Sequence, residues 1–376
     1  MKTSPRLIEP VFMIVLTGGP CSGKSSSLAY LTEKLSDHGF MVFVVPETAT
    51  LITNSGIDRR KMDKSHQVIV YEEAIFDMQL AFEEIYKNTV IRVFPEKKKI
   101  ILLDRGIMDI RAFMPEKDFK NILKKKRISE IELRARYTGV IHLVTAADGA
   151  IEFYTGENNP ARIETPEEAV RIDMEIREGW LGHPYLKIID NTTNFENKIA
   201  RAFSAISSII GMPVPLPIAK RYLIRDIDHK GLPVHQTIHI EKQYIRSKEK
   251  NEQINIKKRG QDGTSLYFLS RKTLVKEEEL ITEQEYNNLA KLLDPKTNKI
   301  VKERICFFWN NQYFEIDRYA GHNQGITILK VEPVETSGGK VEIDIPPFIN
   351  VYEDITDKKE YNERNMALKQ KKIKPF

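Results

Sequence analysis

Residues 16–26 read LTGGPCSGKSS. Gly18, four further residues, then Gly23, Lys24 and Ser25 satisfy G-x-x-x-x-G-K-S/T, and each residue type has a physical task. Glycines let the backbone curl until successive N–H groups point inward at phosphate oxygens, and the following helix turns its N-terminus toward the same anions. The spacing therefore predicts a cradle for a nucleoside triphosphate, ATP or GTP, built from Gly18, Gly19, Pro20, Cys21, Ser22, Gly23, Lys24, Ser25 and Ser26. Lys24 is expected at the β- and γ-phosphates and the Ser25 hydroxyl on Mg²⁺.

A partner for that metal belongs at the end of a neighbouring strand. IILLDRG at 100–106 supplies four apolar residues, then Asp104 and Arg105. An aspartate there lies in the crevice where ligands bind such sheets. It reads either as a magnesium carboxylate or as a base near the acceptor, and Arg105 as a phosphate or substrate clamp. Glu47, after VFVVP, holds the equivalent place on another strand, as a substrate or metal ligand. The segment 146–184 is long, polar and set between two predicted strands, and it carries Arg162, Arg171 and Arg177. An arginine-bearing lid would neutralise the transferring phosphoryl group and exclude water. A plain surface helix pairing those arginines with Glu164, Glu167 and Glu168 is the other reading.

These residues need elements to hold them. Short apolar runs at 11–17, 41–45, 100–103, 140–144 and 186–189 read as buried strands. Helical spacing predicts a helix after the glycine loop, with Leu28, Leu31 and Leu35 on one side and Gly39 as its stop. Further helices are expected near 65–88, 107–113, 117–137 and 194–210. Strands alternating with helices predict an α/β domain with a parallel sheet, residues 1–210. GMPVPLP, ending at 217, reads as a linker, and beyond it the periodicity becomes two. Strands are expected at 219–225, 234–241, 253–259, 264–270, 300–308, 312–317, 325–332 and 340–345, with one helix near 282–293. Residues 218–376 thus predict a closed or strongly curved antiparallel sheet, a β-barrel, with a basic tail.

Composition narrows the partners. With 41% hydrophobic and 30% charged residues, the chain suits ordinary globular domains. VFMIVL is too short to span a bilayer, and the charged, proline-containing residues before it make a poor signal sequence. Cys21 and Cys306 are the only cysteines, which fits a reducing, cytoplasmic setting. Residues 1–217 hold 29 Lys/Arg and 29 Asp/Glu, so the whole +5 excess falls in the second half. A polyanionic ligand there, or a solvated surface, accounts for it.

The strings GGPCSGKSS, DRGIMD, HLVTAADGAIEFYT, NNPARIET, GWLGHP and IIDN resemble the kinase-like P-loop half of the TRPL translocation defect protein 14 family. That half is described as an AAA-type ATPase domain and is similar to nucleoside kinases such as nicotinamide riboside kinase. IAKRYLI, INIKKRG, VKERICFFWNNQYFEIDRY, ITILKVE and IPPFINVYEDITDKKEYNERNMAL resemble the CYTH, or triphosphate-tunnel, domain of the same family. The resemblance implies inward glutamates for metals and inward Lys/Arg for a triphosphate. The usual opening E-x-E-x-K falls on Pro217, Ala219 and Arg221, and the later E-x-E on Lys330 and Glu332, so three of four marker acids are missing.

A barrel that keeps cations and loses acids should bind polyanions and cleave them poorly. By strand parity Lys257 and Arg259 share one face, Lys302 and Arg304 another, and Lys330 goes with Glu332. The resemblance further implies GTP and phosphoinositide binding and a part in membrane-protein traffic, with peripheral membrane contact only. Three functions follow: a Mg²⁺-dependent P-loop kinase or NTPase, a nucleotide-regulated phosphoinositide-binding adaptor, and a tunnel triphosphatase. Aromatic residues do not cluster with the cations, which argues against nucleic acid.

Overall fold

A computed structural model describes residues 9–154, 164–212, 219–247, 252–272, 276–335 and 341–370. The chain divides into two compact units, Met1–Leu216 and Pro217–Phe376.

In the first unit the elements run β1 (Val11–Thr17), α1 (Lys24–Asp37), β2 (Met41–Val45), α2 (Thr48–Asn54), α3 (Ser65–Val93) and β3 (Lys99–Asp104). They continue with α4 (Glu116–Lys126), α5 (Glu130–Ala135), β4 (Gly139–Leu143), α6 (Pro166–Gly179), β5 (Leu186–Ile189) and α7 (Phe195–Ile209). The five strands are parallel in the order β2-β3-β1-β4-β5. Strand order reverses at β1, which has β3 on one side and β4 on the other, so the loop after β1 opens into the crevice at the switch point. Ile14, Leu16, Leu31, Leu35, Ile100, Leu102, Ile141, Leu143 and Ile206 form one core beneath it. The glycine loop is thus mounted on the most buried strands available.

Several expectations shift. β2, read as buried, is an edge strand with Val44 37% exposed and only Val45 buried. The stretch 107–113 is a 3₁₀ helix, with Ile107 to Ile110 buried. The single helix expected at 117–137 breaks in two: Arg127 takes a left-handed conformation (φ 54°), and Ser129 caps a new start with Glu132. α6, inside the segment read as a lid, begins on a Thr165–Glu168 capping box with Pro166 in its first turn.

The second unit contains β6 (Lys220–Ile227), β7 (His235–Ile245), β8 (Gln253–Gln261), β9 (Thr264–Lys272), β10 (Lys276–Ile281), α8 (Glu283–Leu289), β11 (Ile300–Trp309) and β12 (Gln312–Ala320). β13 (Thr327–Val331), the short pair β14 (Val334–Glu335) and β15 (Val341–Glu342), β16 (Ile349–Asp354) and α9 (Glu363–Met366) complete it. Nine strands form one antiparallel sheet in the order β10-β9-β8-β7-β11-β12-β13-β6-β16. The closed or strongly curved antiparallel sheet expected here is present as one large antiparallel sheet, and among the described residues β10 and β16 do not pair with each other. β10 and β16 were not foreseen, and the strand expected at 340–345 is reduced to β15.

The two faces of this sheet differ. Ile224, Ile305, Phe307, Phe314, Ile316, Leu329 and Val331 pack on one, where Phe307 and Phe314 stack at 5.3 Å. The other carries charge, as the register shows: Lys302 lies opposite Ile240, which lies opposite Arg259; Arg304 faces Asp317; Lys330 is flanked by Glu315 and Arg221. Parity groups these cations only within single strands. The cross-strand register puts them on one face. Among the described residues, no helix is long and apolar enough to cross a membrane.

Candidate functional site

The loop after β1 adopts the curl its glycines permit. Gly18 sits at φ 145°, and a Cβ there would come within 2.1 Å of the Leu143 carbonyl oxygen. A Cβ on Gly19 would stand 2.8 Å from the Cβ of Asp173. Lys24, the first residue of α1, folds back and donates to Gly18 O (2.9 Å), Gly19 O (3.1 Å) and Ser22 Oγ (3.1 Å). Burial, then the like charge of Arg105, lowers its ammonium to about 8. Ser25 and Ser26 are exposed in the first turn of α1, and the Cys21 carbonyl accepts from Ala146 N–H at 3.2 Å.

Three elements prop the loop from behind. The Lys198 ammonium, on α7, donates to Ser22 O (3.2 Å), Val144 O (2.7 Å) and Asn191 Oδ1 (2.6 Å). The Thr145 hydroxyl, just past β4, donates to Pro20 O. From α6, Asp173 Oδ1 accepts the N–H groups of Gly19 (2.7 Å) and Thr145 (3.1 Å), while Oδ2 lies 3.0 Å from His142 Nε2 and 3.4 Å from Arg177 Nε. Burial alone would raise the Asp173 carboxyl. His142, Arg177 and the Gly19 amide outweigh it and hold it at about 2.

Asp104 ends β3 level with Leu16 of β1. Burial raises its carboxyl against the pull of Lys24, and its buried Oδ1 has no hydrogen-bond partner. An orphaned carboxylate oxygen at the strand end suits a hard divalent cation, and the Ser25 hydroxyl supplies a second oxygen of the same kind. Arg105 follows in a left-handed conformation (φ 70°) that turns its side chain across the crevice. Its Nε donates to Glu47 Oε1 at 2.5 Å and its Nη1 to Gly18 O at 3.2 Å, and the guanidinium lies 5.8 Å from the Phe113 ring. Burial would raise the Glu47 carboxyl, but the Arg105 charge wins and keeps it at about 2. One guanidinium therefore touches both the phosphate loop and Glu47.

Beyond Glu47 opens a pocket of about 180 Å³, lined by Glu47, Arg59, Tyr71, Glu72, Gln79, Arg105, Asp109 and Phe113 among others. Asp109 accepts the Thr17 hydroxyl and Trp180 Nε1, each at 2.6 Å, and lies 3.6 Å from Arg105. The lid arginines separate. Arg171 is exposed and pairs with Glu175 at 2.6 Å, Arg177 turns inward to Asp173, and Arg162 lies outside the described residues.

In the second unit most cations described on the charged face meet an acid or a polar partner. Lys302 bonds Asp317 at 2.6 Å and also Glu363 of α9; Arg304 holds Asp317 and Glu315, both at 2.7 Å. Lys330 reaches Glu315 at 3.3 Å, Lys257 reaches Glu278 at 2.6 Å, and Lys242 reaches Glu363 at 2.8 Å. Arg221 donates to Asn362 and to the Tyr361 carbonyl. Arg259 is 8% exposed and burial lowers it. Glu332 stands just past β13, half-buried, and Ala219 just before β6; Pro217 lies outside the described residues.

Residues 13–198 match the family model of an AAA domain. This stretch is a P-loop NTPase-like domain. No curated protein matches the chain. Among solved structures, the crystal structure of the inorganic triphosphatase NE1496 is 18% identical, covering 43% of this chain and 99% of that one at a TM-score of 0.33. PH1819 from Pyrococcus horikoshii OT3 is 18% identical, over 31% and 77% of the two chains, at a TM-score of 0.26.

Within the AAA domain, sequence reasoning found the loop, Asp104, Arg105 and Glu47, and the structure brings all of them to one crevice. It missed Asp173, Lys198, Asp109 and Glu72. Asp109 closes the quoted string DRGIMD without having been given a role, and no local motif marks Asp173, Lys198 or Glu72. Only the face of α3, where Glu72, Ile75 and Gln79 recur at helical spacing, held a readable signal. In the second unit it named Arg221, Lys257, Arg259, Lys302, Arg304 and Lys330 and missed Lys242 and the resident acids Glu278, Glu315, Asp317 and Glu363.

Proposed function

We propose that the AAA-domain unit is a Mg²⁺-dependent phosphotransferase moving the γ-phosphoryl group of ATP or GTP to a small hydroxyl compound. The observation that carries this is Arg105, whose guanidinium joins Gly18 of the phosphate loop to Glu47 at the mouth of a polar pocket. A plain NTPase needs only the loop and a water. A pocket lined by polar groups beside the clamp offers a place for an acceptor.

Loop amides and Lys24 would bind the phosphates, and Ser25 with Asp104 would hold Mg²⁺, which supplies charge neutralisation when bound. Arg105 stabilises charge on the transferring group. Glu47, fully ionised at neutral pH, accepts a hydrogen bond from the acceptor hydroxyl and aims it. Phosphoryl transfer asks mainly for positioning, so a weakly basic carboxylate suffices. The test is a screen of γ-phosphate transfer from ATP and GTP to nucleosides and other small hydroxyl compounds, with free phosphate followed in parallel. Transfer supports the reading. Phosphate release that no acceptor alters makes the unit an NTPase, and no chemistry at all leaves a nucleotide-regulated adaptor.

For the second unit we propose polyanion binding, supported by the cations gathered on one sheet face. Tripolyphosphate should bind the full chain without turnover. Metal-dependent release of phosphate from it would favour a triphosphatase instead.

A further inference from the structure

Most polar side chains opening onto the 180 Å³ pocket are already occupied. Glu47 holds Arg105 and accepts the Thr50 hydroxyl at 2.6 Å. Gln79 accepts from Thr48 at 2.6 Å and donates to Glu83 at 2.9 Å. Asp109 accepts from Thr17 and Trp180.

Glu72 differs. It is 3% exposed, and among the described residues its side chain's partner is Arg59, whose Nε stands 3.6 Å away, beyond hydrogen-bond reach. Arg59 is 42% exposed and is itself engaged elsewhere, donating to the Phe113 carbonyl at 3.3 Å. Burial raises the Glu72 carboxyl to about 7 despite the pull of Arg59 and Arg105. A largely buried carboxyl group without a hydrogen bond is costly, and such a group calls for a water, an ion or a functional role. The pocket also holds the carboxylates Glu47 and Asp109, which already have donors, so the unmet need is a donor placed at Glu72.

We propose that Glu72 selects the phosphoryl acceptor by receiving an N–H donor, an amino or amidine-type group, while the reacting hydroxyl faces Glu47 and Arg105 at the loop end. This substrate class presupposes that the pocket is the acceptor site. Above about pH 8, where this carboxyl is ionised, a carbonyl in the same place would leave it unpaired.

The experiment is calorimetric titration of the full chain, held with Mg·ADP at about pH 8.5 where the Glu72 carboxyl is ionised, with two pairs differing only in the exocyclic amino group: cytidine against pyrimidin-2-one riboside, and adenosine against purine riboside. The amino member of each pair should bind about tenfold more tightly or better, the margin of one charge-assisted hydrogen bond. Glu72→Gln, whose amide both donates and accepts, should bring the members within about threefold. The wild-type comparison stands even if the variant is unstable, and melting of the variant reports that separately. Equal binding within the pairs, binding of neither amino compound, or a ratio unchanged by Glu72→Gln overturns the proposal. γ-Phosphate transfer measured on the same four compounds separates the two failures: transfer without amino preference sinks only the role of Glu72, and amino preference without transfer sinks only the phosphotransferase reading.

Discussion

Asp173→Asn tests whether α6 holds the phosphate loop. The Asp173 carboxyl is lowered from 3.8 to about 2, so its surroundings favour the ionised over the neutral form by about 2 kcal/mol. Asparagine resembles the neutral form. Its Oδ1 can still accept from Gly19 and Thr145, but its amide group then confronts His142 and Arg177. The variant should therefore lose about 2 kcal/mol locally, which corresponds to roughly 30-fold faster exchange of the loop amides. Hydrogen exchange read by mass spectrometry on peptides spanning Gly19 measures this directly at neutral pH. The pH dependence has a fixed sign. Because the folded value lies below the unfolded one, the stabilisation is complete above about pH 4 and disappears as pH falls through about 2. Wild type should lose protection across that window and the variant should not. Loop peptides of Asp173→Asn that exchange within twofold of wild type would refute the view that this carboxylate anchors the cradle.

Lys24→Ala should weaken ATP and GTP binding about a hundredfold or more while leaving tripolyphosphate binding by the second unit intact; loss of both would mean the two sites are not separable. Because burial holds Lys24 at about 8 in the empty loop, nucleotide binding at about pH 9 should take up a proton. Calorimetry in two buffers of different ionisation enthalpy reads that uptake, and identical heats would contradict it. Glu363→Gln leaves the Lys242 and Lys302 ammoniums without their shared carboxylate. It should lower stability by about 1–3 kcal/mol and raise tripolyphosphate affinity about tenfold, since Glu363 occupies the place an anionic ligand would take. Unchanged affinity would mean that these cations serve only their internal acids.

Much of the first unit was legible because its signals are local. The strand–glycine loop–helix string carries its conformation in consecutive residues, and Asp104 is marked by the four apolar residues before it. The break at Arg127 is less readable, since a left-handed arginine replaces the glycine that usually ends a helix. β2 was read as buried because its apolar composition does not say which strand will lie at the edge. In the second unit, period-two alternation gave most strands their places. It could not say which faces meet across neighbouring strands, and so could not set Arg259 in one row with Lys302.

The sequence by itself determined the phosphate cradle, the strand-ending acid and arginine, and the alternation that builds each sheet, because those properties depend on neighbours within one turn or one strand. Tertiary structure alone decided that Asp173 grips Gly19 from 154 positions away, that Glu72 faces a pocket without a hydrogen bond, and that Asp317 and Glu363 neutralise Lys302. Burial and pairing of charge depend on which distant groups share a low-dielectric interior, and no local pattern encodes that.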